Sequence, residues 1–297
     1  MRVFVRDWLS ANNILLNDGD GSVIIDTGYV RHAPLTLALV ASRQGVDGGV
    51  LAKIVNTHCH SDHMGGNAAL KRAYGCPIAV PEGEAPVIAD WNTTQLLLDY
   101  ADQSADRFDV DETLHANTTH VWGDLEWRAL AAPGHDMRAL AFYNPEHRLL
   151  ISGDALWERG YGLVMPQEID PAALPAARAT LEMLATLDVR IVIPGHGEPF
   201  TGIEAALERA LERTAAFEAD PSRLARHAVK ALLMFALLDR QRLPLAELPA
   251  YLERVEVYRE FNARFFRETP AELAARLVDA LEAVGAAHRD QGFLIPS

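Results

Sequence analysis

One short segment of the chain is unusually rich in side chains that bind metals or transfer protons. Residues 57–63 read THCHSDH, which places His58, His60, His63 and the carboxylate of Asp62 within six residues. Alternate side chains of an extended backbone point the same way, so His58 and His60 can face one point. A turn after them can aim Asp62 and His63 at a second point. Imidazole nitrogens and carboxylate oxygens suit zinc, iron or manganese.

Three further segments share one arrangement, in which a short apolar run is followed by a glycine and then by a histidine or an aspartate. These segments end in His135, Asp154 and His196. Apolar β-branched runs bounded by Gly and Pro are typical of buried strands. Loops at strand ends present reactive groups on a rigid scaffold. Because a solvated, His-rich loop would not recur in this way, the seven residues predict a metal centre at strand ends.

The order H-x-H-x-D-H, followed by His135, Asp154 and His196, resembles the metal-binding motif of the metallo-β-lactamase superfamily of hydrolases. The stretch Ile25-Asp26-Thr27-Gly28 is also similar to the early strand and turn of that family. The resemblance covers about residues 1–200. It implies an α/β fold, the αββα sandwich, with the metal site at one edge of the two sheets.

The resemblance implies two divalent cations, with zinc as the first expectation and iron or manganese as alternatives. It assigns one cation to His58, His60 and His135, the second to Asp62, His63 and His196, and the bridge between them to Asp154. Such a pair lowers the pKa of a shared water, giving a bridging hydroxide that attacks a carbonyl carbon. Asp62 is the expected catalytic residue, which orients the nucleophile and passes a proton to the leaving group.

The ligand set also narrows the activity. Asp154 separates the chain from true β-lactamases, which lack a bridging aspartate there, and the full set resembles the glyoxalase II, lactonase and RNase Z branches. We expect a dinuclear metal-dependent hydrolase of a thioester, ester or lactone. A metal-dependent nuclease, a mono-iron persulfide dioxygenase-type oxidoreductase and a non-enzymatic metal sensor are alternatives. Structural zinc sites are normally closed by four ligands, so seven ligands shared by two metals favour catalysis.

Neighbouring residues have competing interpretations. Asp26 is expected to orient a metal ligand or to begin a turn rather than to bind metal itself. Cys59 should point away from its two histidine neighbours and act as a buried structural thiol. The loop 157–162 either lines a substrate pocket or packs on the C-terminal region. Other histidines, His227 among them, show no partner pattern and are expected at the surface or in the core.

The elements that must position the site alternate between strands and helices, which indicates layered α/β architecture. Short apolar runs predict strands at 23–25, 54–55, 130–132, 149–151 and 191–193. Helices are expected at 66–74, 93–107, 171–187 and 203–214. From Pro221 onward we expect four helices, at 221–239, 245–253, 256–266 and 271–284, and a hairpin over 288–296. The predicted domains are therefore 1–219, which carries the metal site, and 220–297, a helical subdomain. The latter resembles the C-terminal extensions of glyoxalase II-like hydrolases and of relatives with a small winged-helix-like domain.

Composition limits the partners. The chain has 297 residues, 49% of them hydrophobic and 23% charged, with a net charge of −14. Residues 1–220 carry 16 basic and 31 acidic residues, which disfavours nucleic acid as a partner. No apolar stretch reaches the length of a membrane span, and the N-terminus resembles no signal peptide. We expect a cytoplasmic protein that binds a small-molecule substrate, with a homodimer through the C-terminal helices as an open alternative.

Overall fold

A computed structural model describes residues 1–17 and 21–297 of the chain. Its first sheet is mixed, with antiparallel pairing at β1–β2–β3 and parallel pairing from β3 to β6. The sheet has six strands in the spatial order β1 (Arg2–Phe4), β2 (Asn13–Asn17), β3 (Ser22–Ile25), β4 (Leu51–Val55), β5 (Ile78–Pro81) and β6 (Glu112–Leu114). The predicted strands near 23–25 and 54–55 are thereby confirmed, each extended toward its N-terminus.

The second sheet is antiparallel except for its last pair, since β10 and β11 are parallel. Its five strands are β7 (Thr119–Trp122), β8 (Leu125–Ala131), β9 (Leu140–Asn144), β10 (Leu149–Gly153) and β11 (Ile191–Pro194). The inner faces of the two sheets meet in an apolar core that includes Ile25, Val55, Trp127, Phe142 and Ile193. This core fixes the strand ends of both sheets relative to each other.

Helices cover both outer faces of the sandwich. They are α1 (Ala33–Ala41), α2 (Ser61–Met64), α3 (Asn67–Tyr74), α4 (Ala85–Asp90), α5 (Leu98–Ala101), α6 (Ala173–Leu184) and α7 (Ile203–Ala219). Val40 of α1, Leu70 of α3 and Ile88 of α4 pack with the first sheet in one core cluster. Leu181 of α6 and Leu207 of α7 pack with the second sheet in another. The expected αββα layering is confirmed.

The C-terminal region is mostly helical. It contains α8 (Pro221–Arg240), β12 (Leu243–Pro244), α9 (Leu248–Arg254), α10 (Glu256–Phe261), a π-helical turn (Asn262–Phe266), α11 (Pro270–Ala283), β13 (Ala287–Asp290) and β14 (Phe293–Pro296). The side chain of Thr269 accepts from the backbone N–H of Glu272 in a capping box at the start of α11. The hairpin is confirmed as β13–β14, and β12 joins its β14 edge. The boundary near 219–220 and the winged-helix likeness stay predictions.

The predicted helix over 93–107 is wrong. Within that range the structure has helix only at α5, because Leu97 and Asp102 on either side adopt the left-handed conformation with φ of 59° and 55°. Residues in that region of φ/ψ space cannot continue a right-handed helix. Tyr100 of α5 packs into the C-terminal core, and its hydroxyl donates to Glu260 at 2.6 Å. The segment therefore ties the sandwich to the C-terminal helices.

Among the described residues, none of the helices combines the length and the apolar character that crossing a bilayer requires. The cytoplasmic location and the partner assignments stay predictions.

Candidate metal centre

Four strand ends converge on one point at the edge of the sandwich. His58 and His60 follow β4, His135 follows β8, Asp154 follows β10 and His196 follows β11. Backbone hydrogen bonds connect these ends: the Leu140 N–H donates to the Thr57 carbonyl at 2.8 Å, and the Gly195 N–H donates to the Gly153 carbonyl at 2.8 Å. The first of these bonds joins the two sheets. The loops that carry the predicted ligands are therefore held by rigid elements.

His58, His60 and His135 form the first cluster. One potential ligand atom from each lies within 4.8 Å of the others. Nδ1 of His60 lies 2.8 Å from Nε2 of His135. The three rings meet edge to face, with centroids 4.6 Å apart for His58 and His60 and 4.5 Å apart for His60 and His135. Three nitrogens thus face one small volume.

Asp62, His63 and His196 form the second cluster, with one potential ligand atom from each again within 4.8 Å of the others. Oδ2 of Asp62 lies 3.0 Å from Nε2 of His196 and 3.9 Å from Nε2 of His63. Asp62 and His63 reach this position because α2 begins at Ser61, directly after the extended His60. The turn that the sequence predicts after the alternating histidines is thus a short helix.

The carboxylate of Asp154 lies between the two clusters. Its Oδ2 is 3.3 Å from Nε2 of His135 in the first cluster. Its Oδ1 is 3.3 Å from Nε2 of His63 and 3.9 Å from Nε2 of His196 in the second. The indole N–H of Trp157 donates to the same Oδ1 at 3.2 Å. All seven predicted residues are therefore brought together, and a third group, of His58, His63 and Asp154, links the two clusters. The assignment of each residue to one cation stays a prediction.

The donor atoms fit a divalent cation. Nε2 of His58 is buried and has no hydrogen-bond partner among the described residues, and an unsatisfied buried polar atom costs about 1–3 kcal/mol unless a ligand contacts it. Burial, with neighbouring histidines, lowers the pKa of His58 well below its usual range and that of His60 to about 4. Both rings are thus neutral at pH 7, the form that binds metals.

The surrounding charge also suits cations. Burial alone would lower the pKa of His63, but Asp26, Asp154 and Asp62 together raise it well above its usual range. Burial opposes ionisation of Asp154, yet His63 and His196 hold its pKa well below the usual value. Buried carboxylates that stay ionised need positive charge beside them. Divalent cations at this point would supply that charge.

Residues behind the clusters fix the orientation of the rings. Oδ2 of Asp26 lies 2.8 Å from Nδ1 of His63, and Oδ1 accepts from the Thr57 backbone N–H at 2.9 Å. Oδ2 of Asp136 lies 3.5 Å from Nε2 of His60, and the Leu163 carbonyl accepts from Nδ1 of His135. Carboxylates and carbonyls on the second ring nitrogen set the tautomer of a metal-binding histidine. Asp26 thus lies behind His63, where its carboxylate can orient that ring.

Two glycines allow the parts of the centre to approach each other. A Cβ on Gly162 would lie 2.6 Å from Cγ of His135 and 2.9 Å from Cβ of Asp154. A Cβ on Gly195 would lie 2.3 Å from Oδ1 of Asp154. These distances are shorter than van der Waals contact, so any larger residue would displace the histidine or the aspartate. The backbone of these loops therefore forms part of the centre.

The centre opens into a cavity of about 860 Å³. Its wall includes residues of both clusters, the 157–162 loop and α8. Trp8 stacks on His196 with ring centroids 5.5 Å apart, and Trp157 meets the same ring edge to face at 5.3 Å. The volume lies toward the upper end of the range of about 300–1,000 Å³ for small-molecule sites.

The structure also bears on the predictions for the 157–162 loop, Cys59 and His227. The loop 157–162 lines the cavity with Trp157 and Arg159, which is the first of the two interpretations, and its Tyr161 hydroxyl lies 2.8 Å from that of Thr214 on α7 rather than from a residue of the C-terminal region. Cys59 is buried in the apolar core, as expected. His227 is a correction in part, since it lines the cavity and contacts Arg213 rather than serving as an ordinary core residue.

Sequence reasoning missed three contributors to this site. Asp136 is adjacent to His135, and that adjacency to a predicted ligand is a signal that could have indicated it. Trp8 and Arg213 are remote from the motif in sequence. They reach the cavity only through the fold.

The family described as the Metallo-beta-lactamase superfamily matches residues 6–196. The chain belongs to the metallo-beta-lactamase superfamily. The four-layer sandwich is the fold of that superfamily, and the matched range ends at His196, the last of the seven predicted ligands.

Named relatives within the superfamily are distant. A protein of Bdellovibrio bacteriovorus named hydroxyacylglutathione hydrolase is 31% identical over 112 residues, which are 38% of this chain and 37% of that protein. The chain spans about half or less of the length of the curated relatives it matches.

Solved structures cover more of the chain. TTHA1623, crystallised in a di-iron-bound form, is 25% identical with a TM-score of 0.56, over 71% of this chain and 98% of that one. TTHA1429 from Thermus thermophilus, a metallo-beta-lactamase family protein, is 20% identical with a TM-score of 0.57, over 97% of this chain and 94% of that one. The likeness to TTHA1429 concerns the fold and extends through the C-terminal helices.

Proposed function

We propose that this chain is a metal-dependent hydrolase that cleaves a thioester, ester or lactone at a dinuclear centre. The position of the Asp154 carboxylate carries the proposal, because one oxygen faces each cluster beside an open cavity. A residue so placed suits a pair of cations about 3.5–4 Å apart. The di-iron form of TTHA1623 supports two cations, with zinc as our first expectation and iron or manganese as alternatives.

The residues of this chain have defined tasks in such a reaction. Two divalent cations bound at the clusters would lower the pKa of a water and polarise the carbonyl oxygen of the substrate. The water contributes OH to the acyl carbon, the C–S or C–O bond breaks, and a proton goes to the leaving sulfur or oxygen. Asp62 lines the cavity, and we assign to it the delivery of that proton to the leaving group. Despite burial, His63 and His196 lower the pKa of Asp62, so it is a carboxylate at neutral pH.

Both the names of the relatives and the charge of the chain support an acyl substrate over a nucleic acid. The curated relatives are named hydroxyacylglutathione hydrolases, which places an acyl bond among the substrates of those proteins. The excess of acidic residues over 1–220 opposes binding of a phosphodiester backbone. We therefore propose a small-molecule acyl compound as the substrate.

Metal analysis combined with a substrate panel tests the function. The purified protein should contain close to two transition-metal ions per chain and hydrolyse at least one member of a thioester, ester and lactone panel. Chelation should abolish that activity, and adding zinc, iron or manganese should restore it. Hydrolysis of an oligonucleotide alone would instead establish the nuclease, and oxygen uptake with a persulfide would establish the dioxygenase. Full activity in a metal-free protein would overturn the proposal.

A further inference from the structure

One face of α8 lines the cavity with apolar side chains. Ala231, Met234, Phe235 and Leu238 follow the spacing of a single helical face, and all four border the cavity. Each is partly exposed, whereas Leu233 and Leu237 on the same helix are buried in the C-terminal core. The helix thus has two apolar faces, one buried in the C-terminal core and one that borders the cavity and is partly exposed there.

The same apolar surface continues to the metal centre. Leu163 and Met165 border the cavity and also pack against the C-terminal core. The backbone carbonyl of Leu163 accepts from Nδ1 of His135. One residue therefore both orients a predicted metal ligand and begins the apolar wall. A group bound at the centre can extend directly along α8.

Few charged groups interrupt this wall. Arg213 and His227 contact each other at one end of this wall, where His227 lies one helical turn before Ala231. Burial and the Arg213 charge keep His227 neutral at pH 7, since they lower its pKa to about 3. Phe235 is held in place by an edge-to-face contact with Tyr29, with ring centroids 5.4 Å apart. The wall is a preformed apolar surface.

We propose that this face of α8 binds an aliphatic acyl chain of the substrate, an inference that rests on the proposed hydrolase function. Apolar surface in a cavity gains free energy only when an apolar group displaces water from it. A short hydroxyacyl group or a glutathione moiety would leave the wall in contact with water. The C-terminal helices would thus select substrates by the length of their acyl group.

A chain-length series tests the proposal in the metal-loaded enzyme. N-acetylcysteamine thioesters of acetate, hexanoate and decanoate differ only in methylene count. Full burial of one methylene is equivalent to about 0.8 kcal/mol, or about fourfold in affinity. We expect kcat/KM to rise at least tenfold from acetyl to decanoyl. Equal values across the series, or a faster reaction with a hydroxyacylglutathione than with decanoyl thioester, would overturn the proposal.

A substitution in α8 tests the location. Ala231→Phe adds a ring to the wall and should lower kcat/KM for the decanoyl thioester at least tenfold while changing that for the acetyl thioester less than threefold. Ala215→Phe is the matched control, because Ala215 is an exposed residue of α7 that does not border the cavity. If Ala231→Phe is misfolded by circular dichroism, Met234→Ala replaces it, with Met183→Ala of α6 as its control. Equal effects in variant and control would overturn the location.

Binding of decanoate, measured by calorimetry, separates this inference from the proposed function because it needs no turnover. Decanoate should bind the wild-type protein at least tenfold more tightly than it binds Ala231→Phe, and acetate should show no such difference. If this holds but no acyl compound is hydrolysed, the acyl-chain site stands and the hydrolase function fails. If acyl compounds are hydrolysed but decanoate binds both proteins equally, the hydrolase function stands and the acyl-chain site fails.

Discussion

Asp154 is the residue on which both clusters depend. Replacing it with alanine removes the oxygens that face His135 in one cluster and His63 in the other. We expect Asp154→Ala to lose at least one of two metal ions and to lower kcat/KM more than about 100-fold, because loss of an outer-shell partner alone costs about 10–100-fold. His60→Ala should behave similarly. Metal analysis by mass spectrometry and steady-state kinetics on the same preparation measure both effects.

Cys59 provides the control for that prediction within the same motif. Its side chain lies in the apolar core rather than in either cluster, and burial raises the pKa of the thiol well above its usual range. The thiol is therefore inert at neutral pH. Cys59→Ala should keep its metal ions and at least a third of the activity. Equal metal content in Cys59→Ala and Asp154→Ala would contradict the bridging assignment.

Asp26 acts on the centre through His63, and its backbone restricts the choice of replacement. Its φ of 56° is left-handed, a conformation that Asn tolerates better than most residues. Asp26→Asn therefore keeps the turn but replaces the carboxylate behind Nδ1 of His63 with an amide. We expect metal affinity to fall about 10–100-fold, measured by competition with a chromophoric chelator.

The matched substitution for this prediction is Asp124→Asn. Asp124 also has a left-handed φ, 58°, but it is exposed in the turn between β7 and β8. The control should retain wild-type metal affinity. An unchanged affinity in Asp26→Asn would show that the turn, not the carboxylate, is what the position requires.

His227 makes stability depend on pH. Burial, followed by Arg213 and Lys230, lowers its pKa from 6.5 to about 3, so the unfolded chain takes up a proton below pH 6.5 while the folded chain does not. The stability associated with this group is complete above pH 6.5 and is lost as the pH falls toward about 3. Between pH 7 and 5 the wild-type protein should lose about 2 kcal/mol more unfolding free energy than His227→Gln.

Urea unfolding at both pH values measures that difference, and other titrating groups cancel in the comparison. His288→Gln is the control because His288 is exposed on β13. It should follow the wild-type protein. A His227→Gln variant with the same pH dependence as the wild type would show that the ring is protonated in the folded state.

Among the secondary-structure elements, the strands that precede the predicted ligands could be predicted because short apolar runs in the sequence mark them. The strands before Asp154 and His196 are marked by apolar runs that stop at Gly or Pro, and the strand before His58 by an apolar run that leads into Asn56 and Thr57. All three lie where the sequence indicates. The helix over 93–107 failed because its apolar residues pack in two directions. Tyr100 and Ala101 lie in the C-terminal core, Leu96 and Leu98 lie in the core of the first sheet, and the backbone is left-handed at Leu97 and Asp102. Tertiary contact overrides helical periodicity there.

The cavity residues that the sequence did not predict also depend on tertiary contacts. Trp8 lies near the start of the superfamily match and Arg213 lies beyond its end, and no spacing rule relates them to the H-x-H-x-D-H motif. They meet the centre only after both sheets and α7 have packed. A motif predicts the residues that bind the metal, whereas the cavity wall depends on how remote elements pack together.

The close approach of the loop after β10 to the metal centre gives a further prediction. Gly162 passes so close to His135 and Asp154 that a methyl group has no space. Gly162→Ala should therefore displace the loop and lower both metal affinity and kcat/KM at least tenfold. The control is Gly285→Ala after α11, where a Cβ meets open space but φ is 68°.

That control should lose about 1–2 kcal/mol of unfolding free energy through backbone strain alone and keep its metal ions. Chemical unfolding and metal analysis on both variants separate the two effects. If Gly162→Ala retained full metal content and activity, the close approach would have no part in shaping the centre.

At the scale of the whole molecule, the centre concentrates negative charge in a protein that is already acidic. The chain carries a net charge of −14, and Asp26, Asp62 and Asp154 are gathered around one buried histidine. Bringing ionised carboxylates together opposes folding unless cations balance them. Metal binding should therefore stabilise the folded state as well as permit catalysis.

Chelation measures this coupling directly. A ligand that binds only the folded state stabilises it by about 2.7 kcal/mol when its free concentration is 100 times its Kd. For a chain of this size, we expect removal of the metal ions to lower the Tm by at least about 5 °C, given roughly 2–4 °C per kcal/mol. Adding zinc should restore the Tm, while Asp154→Ala should show little response to either treatment. A wild-type Tm that is identical with chelator and with zinc would mean that the carboxylates at the centre do not need cations to balance them.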